Sequence, residues 1–370
     1  MSRQVPPSRP SIARPAESAL SRPDLQAAVD AEILARGLEV GQSGADTSPS
    51  ARDVDRSASV AAATARAVAA SVWQAGQPTG DPADWADFGR VVPVLAASPG
   101  AGASVTAATV ADALQIAGRS VLMIDTADPS RSGLSRASAV DGPQVPGPHP
   151  AIRIRFSWRA QALLARAETT LPVLAPGMLP PPAFWRPGPR KIDVTVVDIG
   201  HDPWRVGANP LLGAGAWLRG GNPAPIPILA VRPSTPSLAH AEQILARFET
   251  WTRVDAITLP VQLVVVGARR WPATVTATAG IRVQKLLDSA IFLRPDPELA
   301  AHGVTADVTP SRIRSAVLPV LRRLELVPTD KPSRLRTPGP KDQAREKGGR
   351  THDRPHHRGM ADPATGPSNA

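Results

Sequence analysis

Residues 91–135 read VVPVLAASPGAGASVTAATVADALQIAGRSVLMIDTADPSRSGLS, and this stretch decides the fold. Val91–Ala96 is a short apolar run with three valines, which suits a buried parallel strand, although Pro93 inside it argues the other way. Ala97–Gly102 is a turn of small residues. From Ser104 to Ala117 the good helix formers place apolar residues at 107, 110, 111, 114 and 117, on one helical face. Gly118 stands where a left-handed C-cap belongs. Val121–Ile124 is a second apolar run, and it ends on Asp125. The order is strand, glycine turn, helix, strand. Such a turn at a helix N-terminus is an anion cradle, because backbone N–H groups and the helix dipole point at one place.

Against the phosphate-loop pattern G-x-x-x-x-G-K-[ST], Ala97–Ser104 keeps Gly102 and the hydroxyl of Ser104. Ala97 replaces the first glycine, Ala103 replaces the lysine, and Pro99 removes one backbone donor. The candidate ligand-binding segment is Pro99, Gly100, Ala101, Gly102, Ala103, Ser104 and Val105. A small-residue turn before a helix is also an ordinary structural device in α/β folds, so the pattern alone leaves both readings open. A second motif lies at Ile192–Gly200, IDVTVVDIG: a β-branched run leads to Asp198 and then to Gly200. Asp198 belongs at the carboxyl end of a central strand, where doubly wound sheets place ligands. Ser104, Asp125 and Asp198 form a candidate Mg²⁺ set, two carboxylates and a hydroxyl.

These motifs together resemble the ParA/MinD branch of P-loop NTPases, whose loop is typically K-G-G-x-G-K-[ST]-T. Strand residues Leu122–Pro129, LMIDTADP, resemble that branch's I-D-x-D-P. The two lysines of the family loop fall on Ser98 and Ala103. The lysine-less form looks most like the pilus-assembly localisation members of the branch (the Tad/Cpa type). The resemblance spans residues 90–325. It continues through Leu171–Trp185, the switch-like Asp202-Pro203-Trp204, the turn Arg232–Ser237, and Arg294–Pro297. It implies ATP and Mg²⁺ as ligands. It implies a nucleotide-responsive switch within Thr126–Pro150, where Arg131 and Arg136 either supply positive charge or are plain solvated arginines. Relatives often read the adenine with an asparagine after the strand Val261–Val266; this chain has Gly267-Ala268-Arg269-Arg270 instead.

Alternating strands and helices with ligand loops at strand ends predict an α/β fold with a doubly wound, mostly parallel sheet. Pro 42 and Gly 28 fall largely outside the periodic segments, so one domain with disordered tails is expected. The expected division is a disordered 1–50 with a short helix near 24–38, a helix and lead-in loop at 51–89, a P-loop-like domain at 90–325, and a disordered basic tail at 326–370. The helix Ala51–Ala75 either packs on the core domain or mediates self-association. Ala151–Phe156 alternates Ile152, Ile154 and Phe156 with arginines, as a half-buried edge strand does. Trp158–Ala167 reads as a short helix, Leu171–Trp185 as a strand and proline turn, and Thr276–Leu287 as a helix. Ser311–Leu324 reads as an amphipathic helix packed on the sheet.

The chain has no cysteine, which removes disulfides, thiolate metal sites and a cysteine nucleophile. It shows no signal-peptide pattern and no run of about 18 apolar residues, so the expected compartment is cytoplasmic and membrane contact at most peripheral. The net charge of +10 admits non-specific DNA binding, or reflects an arginine-rich composition. No Ser-His-Asp set, helical His pair or glycosidase-like acid pair stands out, and no catalytic residue is assigned. The leading expectation is an ATP-binding switch or positioning protein with a degenerate phosphate loop and weak or absent hydrolysis, working with a protein partner or as a homodimer. The alternatives are a pseudo-NTPase scaffold that uses no nucleotide and a DNA-partitioning ATPase.

Overall fold

The computed structural model describes residues 51–76, 83–188 and 190–327. The helix expected near 24–38 and the tail beyond 327 lie outside the described residues. The chain divides into two units, 1–328 and 329–370, and every described residue belongs to the first.

Among the described residues the first elements are α1 (Ala51–Ala75), β1 (Ala83–Asp84), β2 (Arg90–Ala96), α2 (Ala103–Ile116) and β3 (Val121–Asp125). Three strands follow, β4 (Gln144–Pro146), β5 (Ile152–Arg159) and β6 (Ala162–Thr169), then β7 (Val194–Ile199), α3 (Pro203–Val206) and β8 (Gly221–Asn222). The last part holds β9 (Ile228–Val231), α4 (Thr235–Thr252), β10 (Gln262–Val266), α5 (Ala273–Thr276), α6 (Ile281–Leu287), β11 (Ile291–Leu293), α7 (Pro297–His302) and α8 (Ser311–Arg323).

The main sheet has the order β11-β10-β9-β2-β7-β3-β6-β5-β4. From β11 to β6 every pairing is parallel; β5 and β4 add an antiparallel flap. The expected doubly wound, mostly parallel class is the one observed. Its parallel strands are buried on both faces, as their near-continuous apolar runs require. One face packs Val92, Val94, Met123 and Val196 against α2 and α8. The other packs Val91, Leu95, Ile124 and Val197 against α4 and against Ala65, Val68, Ala69 and Val72 of α1. Helix α1 therefore covers the core. Pro93 is tolerated in a central strand because the ladder to β9 begins only at Val94, so its missing N–H breaks no rung there.

Four expectations need correction. Trp158–Ala167 is not a helix: the chain turns at Ala160 (φ 49) and returns as β6, which pairs with β3. Helix formers in ALLARAE are overridden because β6 completes the parallel sheet. Strand β5 is not an edge, since β4 pairs outside it. Leu171–Trp185 holds no strand; its prolines set two short 3₁₀ turns, Pro176–Met178 and Pro182–Trp185. The helix expected over 276–287 is interrupted. Gly280 caps α6, and the Glu242 carboxylate accepts from the N–H groups of Arg282 (3.0 Å) and Val283 (2.9 Å).

A buried ion pair ties the flap to α2. Asp112 and Arg159 are both essentially inaccessible, with Nη2 and Oδ2 2.9 Å apart. Asp112 also accepts from Gln115 Nε2 (2.8 Å) and from Thr309 N (2.7 Å), while Arg159 donates to the carbonyls of Thr305 and Asp307. The β5–β6 turn, α2 and the segment before α8 thus share one satisfied network. Removing one partner of a buried pair strands the other charge, typically at a cost of about 3–5 kcal/mol. Arg159→Ala and Asp112→Ala are each expected to lower the unfolding free energy by about that much, and the double variant by much less than the sum. Urea unfolding of the four chains checks this; additive losses would mean the charges do not act as a pair.

Candidate functional site

Strand geometry assembles the site. Side chains alternate along a strand, so Val121, Met123 and Asp125 share a face, as do Val194, Val196 and Asp198. Strands β3 and β7 pair 121 with 194, 123 with 196 and 125 with 198. The valines and Met123 pack on the α2 side. The two aspartates therefore emerge together at the carboxyl ends of adjacent strands, turned toward the first turn of α2.

Asp198 is fully buried, and neither carboxylate oxygen has a hydrogen-bond partner. The Ser104 hydroxyl is near enough to favour its charged form, yet completes no hydrogen bond of acceptable distance and angle. Burial and the adjacent Asp125 push the Asp198 carboxyl up to about 8. Burial also raises Asp125, against hydrogen bonds from Ser132 Oγ and Ala127 N and the charge of Arg166. Arg166 is Asp125's register partner on β6, and its Nη1 donates to Ser135 O (2.9 Å).

The loop between β2 and α2 is turned by Gly100 (φ 72) and Gly102 (φ 97). Gly102 is the N-cap of α2, and a Cβ there would lie 2.8 Å from Val266 Cγ1, so both space and backbone demand glycine. With no cap side chain, the first-turn amides of α2 are left for solvent or a ligand. Ala103 stands at the lysine position and is buried in the apolar cluster. Ser98, at the other lysine position, is half-buried.

The chain after β3 folds back over this turn. A Cβ on Gly133 would come within 2.4 Å of Ser104 Oγ, and one on Gly200 within 2.3 Å of Ala127 Cβ. Asp128 holds the segment, its carboxylate accepting from Ser130 N (3.0 Å), Ser130 Oγ (2.6 Å) and Leu174 N (2.9 Å). Thr126 donates through N and Oγ1 to Asp198 O, and His201 Nε2 lies 2.7 Å from Thr126 O. The segments after β3 and β7 are thus joined directly behind the aspartates.

Pro99 to Val105, Ser104, Asp125 and Asp198 come together as one site. Arg131, Arg136, Arg269 and Arg270 are exposed, whereas Trp271 packs edge-to-face on Phe292 (5.6 Å between centroids). Sequence reasoning missed Ser132, Gly133 and Arg166, whose roles depend on the return of the 126–135 segment. It also passed over Arg232, treated only as part of the turn after β9, whose Nε donates to Gly100 O at 2.9 Å. Among the described residues no cluster of three His, Asp or Glu side chains could hold a metal by itself. The arrangement suits an anion on the loop amides and a cation beside Asp198 and Ser104, each completing the other.

No family model matches the chain, and no curated protein matches it. Among solved structures it is similar to the MinC:MinD cell division protein complex of Aquifex aeolicus, at 16% identity and a TM-score of 0.42, covering 65% of this chain and 98% of that one. It is similar to the septum site-determining protein MinD complexed with Mg-ADP from Pyrococcus horikoshii, at 15% identity and a TM-score of 0.44, covering 64% and 96%. A ParA family ATPase from Chlorobium tepidum aligns at 14% identity and a TM-score of 0.36, covering 64% and 99%. Likenesses this distant carry no functional argument; the site's own side chains must.

The elevated Asp198 pKa has a thermodynamic consequence. The folded chain keeps a proton there that the unfolded chain, with a carboxyl pKa of about 4, releases. Between about pH 4 and pH 8 stability from this group therefore falls as pH rises. Without divalent cation, the thermal midpoint of Asp198→Asn is expected to decline less from pH 5 to pH 8 than that of the wild type. Melting followed by circular dichroism checks this; parallel declines would place the dependence elsewhere.

Proposed function

We propose that this protein is a ParA/MinD-like ATP-binding switch or positioning protein whose degenerate phosphate loop binds Mg–ATP and hydrolyses it slowly or not at all. The observation that carries the reading is Asp198. A fully buried carboxylate with both oxygens unpartnered, beside a second carboxylate and a helix-start serine, is costly unless a proton or cation accompanies it. Mg²⁺ suits this donor set, since it is commonly held by one or two carboxylates together with ligand phosphates and waters. When bound, Mg²⁺ and ATP would supply the charge neutralisation that phosphoryl transfer needs.

The chain's own residues divide the work. The amides of Gly100 and of Gly102–Val105 would hold phosphate oxygens; the Ala101 N–H is taken by Ser98 O at 3.0 Å, and Pro99 shapes the loop and contributes no donor. Ser104 Oγ and Asp198 would hold the metal, with Asp125 adjacent to Asp198 on the neighbouring strand. Asp125 is linked through Ser132 to the 126–135 segment, and Thr126 couples that segment to β7, so occupancy of the site bears on both. Alanine at 103 and serine at 98 remove charge from the cradle. Losing one preorganised charged contact commonly costs on the order of 10²-fold in rate, which supports slow or absent hydrolysis. A switch that hydrolyses slowly acts through what it binds, and we assign a protein partner or a second copy of the chain to that role. The burial of Ala103 in the apolar cluster favours a second reading, a scaffold that keeps the fold without nucleotide.

Equilibrium binding of a fluorescent ATP analogue separates the two. Under the first reading the full chain binds at micromolar concentration only with Mg²⁺, and Ser104→Ala weakens binding about tenfold or more. Absence of binding at millimolar nucleotide would leave the scaffold.

A further inference from the structure

The loop has lost both lysines, yet one guanidinium reaches it from another strand. Arg232 directly follows β9, the neighbour of β2 on the side away from β7. Its backbone N–H donates to Ser237 Oγ at 2.9 Å, which anchors the residue at the start of α4. Its Nε donates to Gly100 O at 2.9 Å, at the apex of the phosphate loop. Its Nη1 passes Gly267, where a Cβ would lie 3.0 Å away and where φ is +86. The same turn touches the loop through Val266, against which Gly102 packs. Arg232 is thus threaded between the loop apex and the turn after β10. Among the described residues no carboxylate is paired with it, and the side chain is exposed.

We propose that Arg232 is the replacement cation of this loop. It binds the phosphate groups of the ligand seated on Gly100–Val105, supplying from β9 the charge that a lysine at 103 would supply from the loop. The inference deepens the nucleotide reading above and rests on it. The chemistry fits: a guanidinium has five N–H donors in a rigid fork, and Gly100 takes one. The others are suited to two oxygens of a phosphate. A carbonyl bond at the loop apex holds the fork in place before the ligand arrives, which reduces the entropy lost on binding.

The test uses the full chain and two variants, Arg232→Lys and Arg232→Gln. Binding of the fluorescent ATP analogue with Mg²⁺ is measured at low and high salt, with ATP, ADP and AMP as competitors. The Gln variant is expected to lose on the order of 10- to 100-fold in ATP affinity and to show a shallower salt dependence. The Lys variant, which keeps the charge but not the fork, recovers part of that loss. In the wild type, ATP and ADP outcompete AMP, by a margin that shrinks as salt rises. Unchanged ATP affinity in the Gln variant overturns the proposal, and so does a Lys variant as weak as Gln, which would make Arg232 a pin for Gly100 only. Equal competition by the three nucleotides overturns it even if the Gln variant does not fold. A wild type that binds no nucleotide overturns the nucleotide reading itself, and this assignment with it.

Discussion

Two carboxylates are forced together by a parallel register. Once β3 and β7 pair with residue 121 opposite 194, Asp125 and Asp198 must be neighbours, and the two-residue period must turn both toward α2. Neither side chain can turn away, because each ends a strand buried on both faces. Like charges at this spacing in a poorly solvated site cannot both be ionised without a counter-charge. The fold therefore carries a built-in demand for a proton or a cation at the mouth of α2. The rest of the site is arranged around meeting that demand.

That arrangement relies on close backbone approach more than on specific side chains. Gly102 lets the loop pass under Val266, Gly200 lets β7 run on against Ala127, and Gly133 lets the returning segment lie on Ser104. A methyl group at any of the three would collide with its neighbour. Around these contacts the aspartates have separate tasks. Asp128 is consumed in binding backbone and Ser130, so it staples the segment to Leu174. Asp125 is partly consumed by Ser132 and Ala127. Asp198 is left unpartnered. The gradation separates aspartates whose oxygens the chain itself engages from one whose oxygens it does not. The Asp112–Arg159 network, on the same helix but toward its far end, is the contrast: a buried charge with its partner supplied.

Much of this site was legible in the sequence, because its parts are local. A valine run, a glycine turn, a helix with one apolar face and a second run ending in aspartate follow one another within 45 residues. Each part has a short-range signature that tertiary packing reinforces. Strand β6 was misread for the opposite reason. ALLARAE has the composition of a helix, and only the vacancy beside β3 makes it a strand. Leu171–Trp185 looked like a strand by its apolar content. Its prolines deny it a ladder, and Leu174 spends its N–H on Asp128.

The sequence by itself determined the α/β class, the loop lacking lysine and the pair of strand-end aspartates, since these follow from periodicity, turn chemistry and residue identity over short windows. The tertiary structure alone decided which groups meet there. Arg232 lies 132 residues from Gly100 and reaches it only because β9 pairs with β2. Arg166 stands beside Asp125 only because β6 runs parallel to β3 and pairs with it. The order of strands in a sheet is set by which apolar faces can be covered at once, and that is a property of the whole chain.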